Sequence, residues 1–322
     1  MPATADPAEA ADPAEALASL LGSVLGGPVS GLRRLSGGAS RETWSFECGG
    51  RPLILRRDPP GALKSGGMAV EARLLRAART AGVPVPEVLA DDPSFIVMAR
   101  VEGETIPRRI LRDDAFASAR PVLAAQCGAV LAALHRMPVD DFADLPDTDQ
   151  VAEYREAMDG FGQPHPALEL GFTWLAAHRP APSGRVVVHG DFRNGNLMVG
   201  PEGLRAVLDW ELAHVGDPLE DLAWLCVKAW RFGVVGRGVG GFGSVDDLVA
   251  AYEKAGGVAV DREALAWWEA LGTLKWGVMC IAQGMAHVLG AVRSVELAAI
   301  GRRVCENEWD LLGFLPYGRA TA

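Results

Sequence analysis

Two short runs rich in apolar and β-branched residues, Arg185 to Val188 and Arg205 to Asp209, lead straight into acidic and amide side chains. No other feature of the sequence constrains the fold as much. The first run opens into Val188-His189-Gly190-Asp191-Phe192-Arg193-Asn194-Gly195-Asn196, followed by the apolar Leu197-Met198-Val199. Thirteen residues beyond Asn196 comes Asp209, inside Val207-Leu208-Asp209-Trp210-Glu211. Runs this short read as strands, and their spacing suits a hairpin that returns Asp209 beside the Asp191 loop. Asp191, Asn196 and Asp209 are therefore expected together, at the tips of two neighbouring strands.

The flanking sequence says what holds this pair of strands. From about Leu32 to Met98 the pattern is strand-like with one helix. Thr43 to Cys48 and Pro52 to Arg56 read as paired strands around Gly49-Gly50, a dipeptide suited to a tight hairpin turn. Val70, Leu74, Leu75 and Ala78 recur at helical spacing and predict a helix from about Met68 to Thr80, ended by Gly82. Ser94 to Met98 is a further short strand. After Arg100 the character turns helical. Asp113 or Asp114 is positioned to cap a long helix to His135, with Pro121 a kink point, and Ser244 with Asp247 resembles a capping box. Another helix runs from Asp261 towards Leu289. The expected fold class is α+β with a small β-rich lobe and a larger helical lobe. Residues 1–16 repeat Asp-Pro-Ala-Glu-Ala and read as a disordered tail. Residues 17–99 form the first lobe and 100–322 the second, with a crossing near Met98–Val101.

Phosphoryl transfer asks for this set of side chains. One carboxylate must orient the attacking hydroxyl and accept its proton, and hard oxygen ligands must hold Mg²⁺ across the phosphates. Asp191 suits the first task, Asn196 and Asp209 the second. Arg193 is placed to neutralise charge on the transferring group. Ser36-Gly37-Gly38-Ala39-Ser40, between two strand-like segments, has backbone N–H groups able to cover nucleotide phosphates; a Gly-Gly turn without function is the plainer alternative.

His189-Gly190-Asp191 with Asn196, and Leu208-Asp209-Trp210-Glu211 downstream, closely resemble the aminoglycoside phosphotransferase-like, or choline-kinase-like, family. Arg56-Arg57-Asp58-Pro59-Pro60-Gly61, His189 to Asn196 and Val207 to Asp221 are most similar to its branch fused to, or associated with, acyl-CoA dehydrogenases. The resemblance covers about residues 30–315. It implies a protein-kinase-like two-lobe fold and an ATP- and Mg²⁺-dependent transferase acting on a hydroxyl of a small molecule. It puts Ser36, Gly37, Gly38 and Ser40 on the phosphates. Arg56 takes the place of a phosphate-binding lysine, and Glu71 that of its ion-pair partner. Arg departs from the family's Lys, since it cannot deprotonate and binds as a fork; Arg57 and Lys64 are rivals for the role. Met98 and Arg100, at the crossing, are implied to offer backbone groups to adenine. Asp217 and Asp221 are read as structural, a helix cap and a buried brace for the loop.

Other signals are set aside. Gly238-Val239-Gly240-Gly241-Phe242-Gly243 spells a dinucleotide fingerprint but lies in the helical half, without the strand that fingerprint needs, and reads as a loop lining the acceptor site. His189 is expected to brace the loop, His135 to be structural, and the tryptophans of the second lobe to be mostly core. Five scattered cysteines show no C-x-x-C spacing and fit reduced thiols in a cytoplasmic protein, without zinc. A net charge of −10 argues against nucleic acid. No apolar run is long enough for a membrane span. A nucleotide-binding scaffold without turnover is the alternative from another class. Protein kinase activity fits less well, because Gly190 stands where that loop usually carries arginine. The acceptor's identity and the oligomeric state are not legible.

Overall fold

A computed structural model of the chain describes residues 13–35, 41–59 and 67–315. Ser36, Gly37, Gly38, Ser40 and Lys64 lie outside the described residues, as do positions 1–12 of the expected tail. The described chain divides into two compact units, one from within Met1–Ala77 and Pro86–Val101, the other from within Ala78–Val85 and Glu102–Ala322.

The first unit begins with helix α1 (Pro13–Leu25), so residues 13–16, expected in the tail, form its first turn. Its sheet comprises β1 (Val29–Arg34), β2 (Glu42–Cys48), β3 (Arg51–Arg57), β4 (Val88–Asp92) and β5 (Phe95–Ala99), in the order β1-β2-β3-β5-β4 with every pairing antiparallel. Gly49 and Gly50 turn β2 into β3 with φ of 59° and 74°, the left-handed pair that a two-residue hairpin requires. Alternation then decides the face: Phe46, Cys48, Leu53, Leu55 and Val97 pack with Leu17 and Leu21 of α1. Helix α2 (Gly67–Thr80) follows β3. Its buried stripe reads Glu71, Leu74, Leu75, Ala78, so a carboxylate stands where helical periodicity would put an apolar residue.

The second unit is helical around two small two-stranded antiparallel sheets. Helices α3 (Pro107–Arg112), α4 (Arg120–Leu134), α5 (Gln150–Phe161) and α6 (Pro166–Ala177) precede strand β6 (Val186–Val188). Then come β7 (Leu197–Gly200), β8 (Gly203–Val207), β9 (His214–Gly216) and helix α7 (Leu219–Cys226). Helices α8 (Val245–Lys254), α9 (Arg262–Val288), α10 (Val295–Gly301) and α11 (Val304–Leu312) complete it. The core is built on α9, whose Trp267, Leu271, Leu274, Val278 and Ile281 pack against Leu168, Phe172 and Leu175 of α6, Val151 and Met158 of α5, and Leu311 of α11. Asp261 caps α9, and Ser244 with Asp247 forms the expected box at α8, Asp247 N–H donating to Ser244 Oγ at 3.1 Å. Among the described residues no helix is long and apolar enough to cross a membrane.

Two expectations need correction. The helix predicted from Asp113 to His135 starts only at Arg120: Asp113 stands before a separate 3-10 turn over Asp114–Phe116 without a side-chain cap hydrogen bond, and Pro121 sits in the first turn of α4, where its missing N–H costs nothing. The two strands that carry the acidic tips are not neighbours. β6 pairs with β9, and β8 pairs with β7, in separate sheets.

Candidate active site

The loop after β6 takes its shape from one glycine and one buried carboxylate. Gly190 has a φ of 78°, and a Cβ built there would lie 2.3 Å from the Leu212 carbonyl oxygen, so no other residue fits. The arginine that protein kinases carry here is sterically excluded. Asp221 of α7, fully buried, accepts the N–H groups of His189 (2.8 Å) and Gly190 (3.0 Å). It also lies 3.3 Å from His135 Nε2, whose Nδ1 is 2.9 Å from the Tyr252 hydroxyl. Burial raises the Asp221 carboxyl, but His135, His189 and the amide donors together outweigh it and hold it below the usual carboxylate range. Both residues act as the sequence suggests, the aspartate as brace and His135 as support.

His189 joins the two motifs. Its Nδ1 accepts from the Asp191 N–H (3.2 Å) and its Nε2 donates to the Leu208 carbonyl (3.1 Å). Burial pushes its pKa down, so the ring is a neutral, doubly engaged brace with no nitrogen left for proton transfer. Leu208 N–H in turn donates to the Asn196 carbonyl (2.9 Å), just beyond the Leu197↔Val207 pair of the β7–β8 hairpin. Asp209 is the next residue. Its φ of 65° is left-handed, a conformation that Asp tolerates better than most residues. Asp191, Asp209 and Asp221 all act electrostatically on His189. The backbone at Leu208, next to Asp209, is thus tied to the Asp191–Asn196 loop by the His189 imidazole and a backbone hydrogen bond, not by adjacent strands.

The Asp191 carboxylate is nearly saturated. Its Oδ1 accepts from Arg193 Nε (2.9 Å) and Trp224 Nε1 (2.8 Å), and its Oδ2 from Asn196 Nδ2 (2.6 Å). Asn196 Nδ2 also donates to the Asp191 carbonyl (3.0 Å). Two oxygens offer about four acceptor directions, so three donors leave one, on Oδ2, for an incoming hydroxyl. The Arg193 guanidinium lies over the Trp230 ring at 4.5 Å. Asn194 donates to the Gly240 carbonyl (2.7 Å), which ties the Gly238–Gly243 loop to the same loop. That segment is closed by a Val239↔Gly243 bridge and is no dinucleotide turn.

In the first unit Glu71, 2% exposed, is held by two arginines, Arg56 and Arg41. Arg41 also reaches Asp58 at 3.4 Å. Arg57 is engaged elsewhere, with Glu42 at 2.7 Å and over Trp44, so Arg56 has the expected partner and its described rival does not. Met98 is a buried strand residue facing Ile54 and Val88. The N–H groups of Ala99 and Arg100 donate to the carbonyls of Glu87 (2.9 Å) and Pro52 (3.1 Å). Those two amides are spent on the sheet, which narrows what the Met98–Arg100 stretch can offer a nucleobase.

Sequence reading missed Arg41, Trp224 and Lys275. Arg41 directly follows the glycine-rich segment in sequence. Trp224 is three residues after Asp221, hence on the same face of α7. Lys275 is the one charged residue in the run Gly272–Met279. Each signal was present, but weak beside the bland reading of a surface or core residue.

Asn196 fits a hard cation: its amide hydrogens are committed to Asp191, which leaves its oxygen as the ligand atom. Among the described residues no group of three or more His, Cys, Asp or Glu gathers to hold a metal by itself. An ion here would take its remaining ligands from phosphates and water, as Mg²⁺ commonly does.

Residues 31–268 match the model of the phosphotransferase enzyme family. Acyl-CoA dehydrogenase family member 10 of Mus musculus is 33% identical over 232 residues, 66% of this chain and 21% of that protein. Family member 11 of Gallus gallus is 29% identical over 320 residues, 87% of this chain and 40% of that protein. The chain therefore spans less than half the length of these curated relatives. The structure of spectinomycin phosphotransferase in complex with ADP and spectinomycin matches with a TM-score of 0.66 at 15% identity, covering 95% of this chain and 100% of that one. That likeness shows the fold, the protein-kinase-like α+β architecture of a β-rich lobe and a larger helical lobe. With the family model covering most of the chain, this protein belongs to the phosphotransferase enzyme family.

Proposed function

We propose that the protein transfers the γ-phosphoryl group of ATP, with Mg²⁺, to a hydroxyl group of a small molecule. The observation that carries this reading is the single open acceptor direction on Asp191 Oδ2, on a carboxylate whose other directions are filled. A hydroxyl docked there is oriented for in-line attack, and Asp191 takes its proton as the O–P bond forms and ADP leaves. Arg193 stabilises charge on the transferring group. Asn196 and Asp209 would hold Mg²⁺, which supplies neutralisation of phosphate charge. In the first unit Arg56, forked and oriented by Glu71, takes the phosphates in place of lysine, with Arg41 beside it and the Ser36, Gly37, Gly38 and Ser40 backbone covering them. Intact Asp191, Asn196 and Asp209 weigh against a scaffold without turnover.

We assign the acceptor to a cavity of about 930 Å³ in the second unit, lined by Pro107, Arg108, Phe232, Arg303 and Trp309 among others; Pro107 links it to the Asp191 loop, lying 3.8 Å from where a Cβ on Gly195 would stand. Its carboxylates, Glu306 and Asp310, are paired with Arg303 (3.1 Å) and Lys228 (2.5 Å). Such a lining favours an acceptor less cationic than an aminoglycoside. The five unpaired thiols suit a reducing, cytoplasmic setting.

The test is ADP release from Mg·ATP across a panel of hydroxyl compounds. Asp191→Ala should lower turnover by about 10²–10⁴-fold. A variant with a tenth or more of wild-type turnover removes Asp191 from its role, and nucleotide binding without turnover across the panel favours the scaffold.

A further inference from the structure

We propose that Trp224 and Lys275 are positioning residues for Asp191, one holding its carboxylate and the other the peptide in front of it. The inference rests on the reading of Asp191 given above. Of the three side chains among the described residues that donate to the Asp191 carboxylate, Arg193 and Asn196 belong to the same loop and move with it. Only Trp224 reaches in from outside. Its ring, 2% exposed, is locked in α7 by packing with Trp230, and its Nε1–H meets Asp191 Oδ1 at 2.8 Å.

Lys275 holds the backbone just before Asp191. It is buried in α9, its ammonium lies 4.8 Å from the Trp224 ring centre, and it donates to the Gly190 carbonyl at 3.2 Å. Glu220 compensates its charge at 3.3 Å and is itself 2.9 Å from His214 Nε2. Burial alone would lower the Lys275 pKa, yet Glu220, Tyr154 and Asp191 raise it overall, so the ammonium stays charged. The Gly190–Asp191 segment is thereby held at three points: the Gly190 N–H by Asp221, the Gly190 carbonyl by Lys275, and the Asp191 carboxylate by Trp224. Such clamps matter because a catalytic carboxylate must stay within about 0.5 Å and 10–20° of its working geometry.

Trp224→Phe keeps an aromatic side chain in α7 but removes the indole N–H together with the five-membered ring, so a thermal melt first checks that the variant folds. ADP release from Mg·ATP is measured with water and with glycerol as acceptors. The expected result is a kcat about 10–100-fold lower, with the KM for ATP within twofold of wild type. Lys275→Met leaves Glu220 unpaired and risks misfolding, so Lys275→Met is combined with Glu220→Gln; that pair should show the same split. A kcat within threefold of wild type in Trp224→Phe, or a KM that rises in step with the fall in kcat, overturns the inference while the reading of the site stands. A wild-type protein that forms no ADP overturns both.

Discussion

Replacing Asp221 by Asn changes one oxygen to an NH₂ at a position with no exposure and no room to turn. The carboxylate accepts the backbone N–H groups of His189 and Gly190, one on each oxygen, and lies beside His135. Asparagine keeps one acceptor, so one charge-assisted bond of about 1.5–3 kcal/mol is lost and a buried N–H faces another donor, for a further 1–3 kcal/mol. A total near 3–4 kcal/mol follows, which in a unit of about 230 residues corresponds to a fall in Tm of about 6–15 °C. The pH dependence has a definite sign. The folded Asp221 carboxyl is held below its unfolded value, so its stabilisation is present above the unfolded pKa, about 3.9, and is lost as pH falls through the folded one. The gap between wild type and Asp221→Asn should be widest near pH 7 and close in acid. Circular dichroism melts of both proteins at several pH values read it directly. A Tm difference under about 2 °C at pH 7, or a gap that does not narrow in acid, would refute the claim that this carboxylate holds the loop.

Glu269 behaves in the opposite sense: burial, only partly offset by Arg231 at 2.7 Å, raises its pKa to about 7. Its stabilising contribution is present below the unfolded pKa near 4.3 and is lost as pH rises towards 7. Glu269→Gln should therefore gain on wild type across that window, by about 1–3 kcal/mol at pH 8 in urea midpoints; a variant less stable than wild type at pH 8 contradicts it. Gly190→Ala and Gly82→Ala separate a clash from mere strain. At Gly82, φ is 88° with nothing within 4 Å of an added Cβ, so the loss should be about 1–2 kcal/mol. At Gly190 the Cβ meets the Leu212 backbone, and urea unfolding should show a loss of about 3 kcal/mol or more. Equal losses at the two sites would remove the steric argument.

What the sequence revealed depended on whether a feature was local. The β2–β3 hairpin was legible because Gly49-Gly50 carries its own turn conformation, and α8 because Ser244 and Asp247 cap it within four residues. The β6–β9 pairing was not, since a three-residue strand such as His214-Val215-Gly216 has no period to detect and is held by its partner across a long separation. Asp113 misled because an aspartate before a helical run signals a cap, whereas here it precedes a 3-10 turn and its side chain makes no cap hydrogen bond. In the candidate site, Asp191, Asn196 and Asp209 stand out by type and spacing, whereas Arg41, Trp224 and Lys275 make their contacts with partners distant in sequence. A tryptophan at helical spacing looks like core whether or not its N–H points at a carboxylate.

Helix α7 shows why the acidic residues and the fold were selected together. Every residue from Leu219 to Cys226 is buried, including Glu220 and Asp221. Asp217 just before it accepts the N–H groups of Leu219 (2.9 Å) and Ser183 (2.6 Å). Buried polar groups are costly unless each finds its partner, and here the partners are the loop backbone, Lys275, His214 and the chain leading to β6. Sliding α7 by one residue would orphan several of them at once. An apolar helix could pack as tightly, but it would accept several registers; the buried carboxylates and the indole N–H accept one. The helix therefore adds location more than stability, and the location it imposes is that of the Asp191 carboxylate.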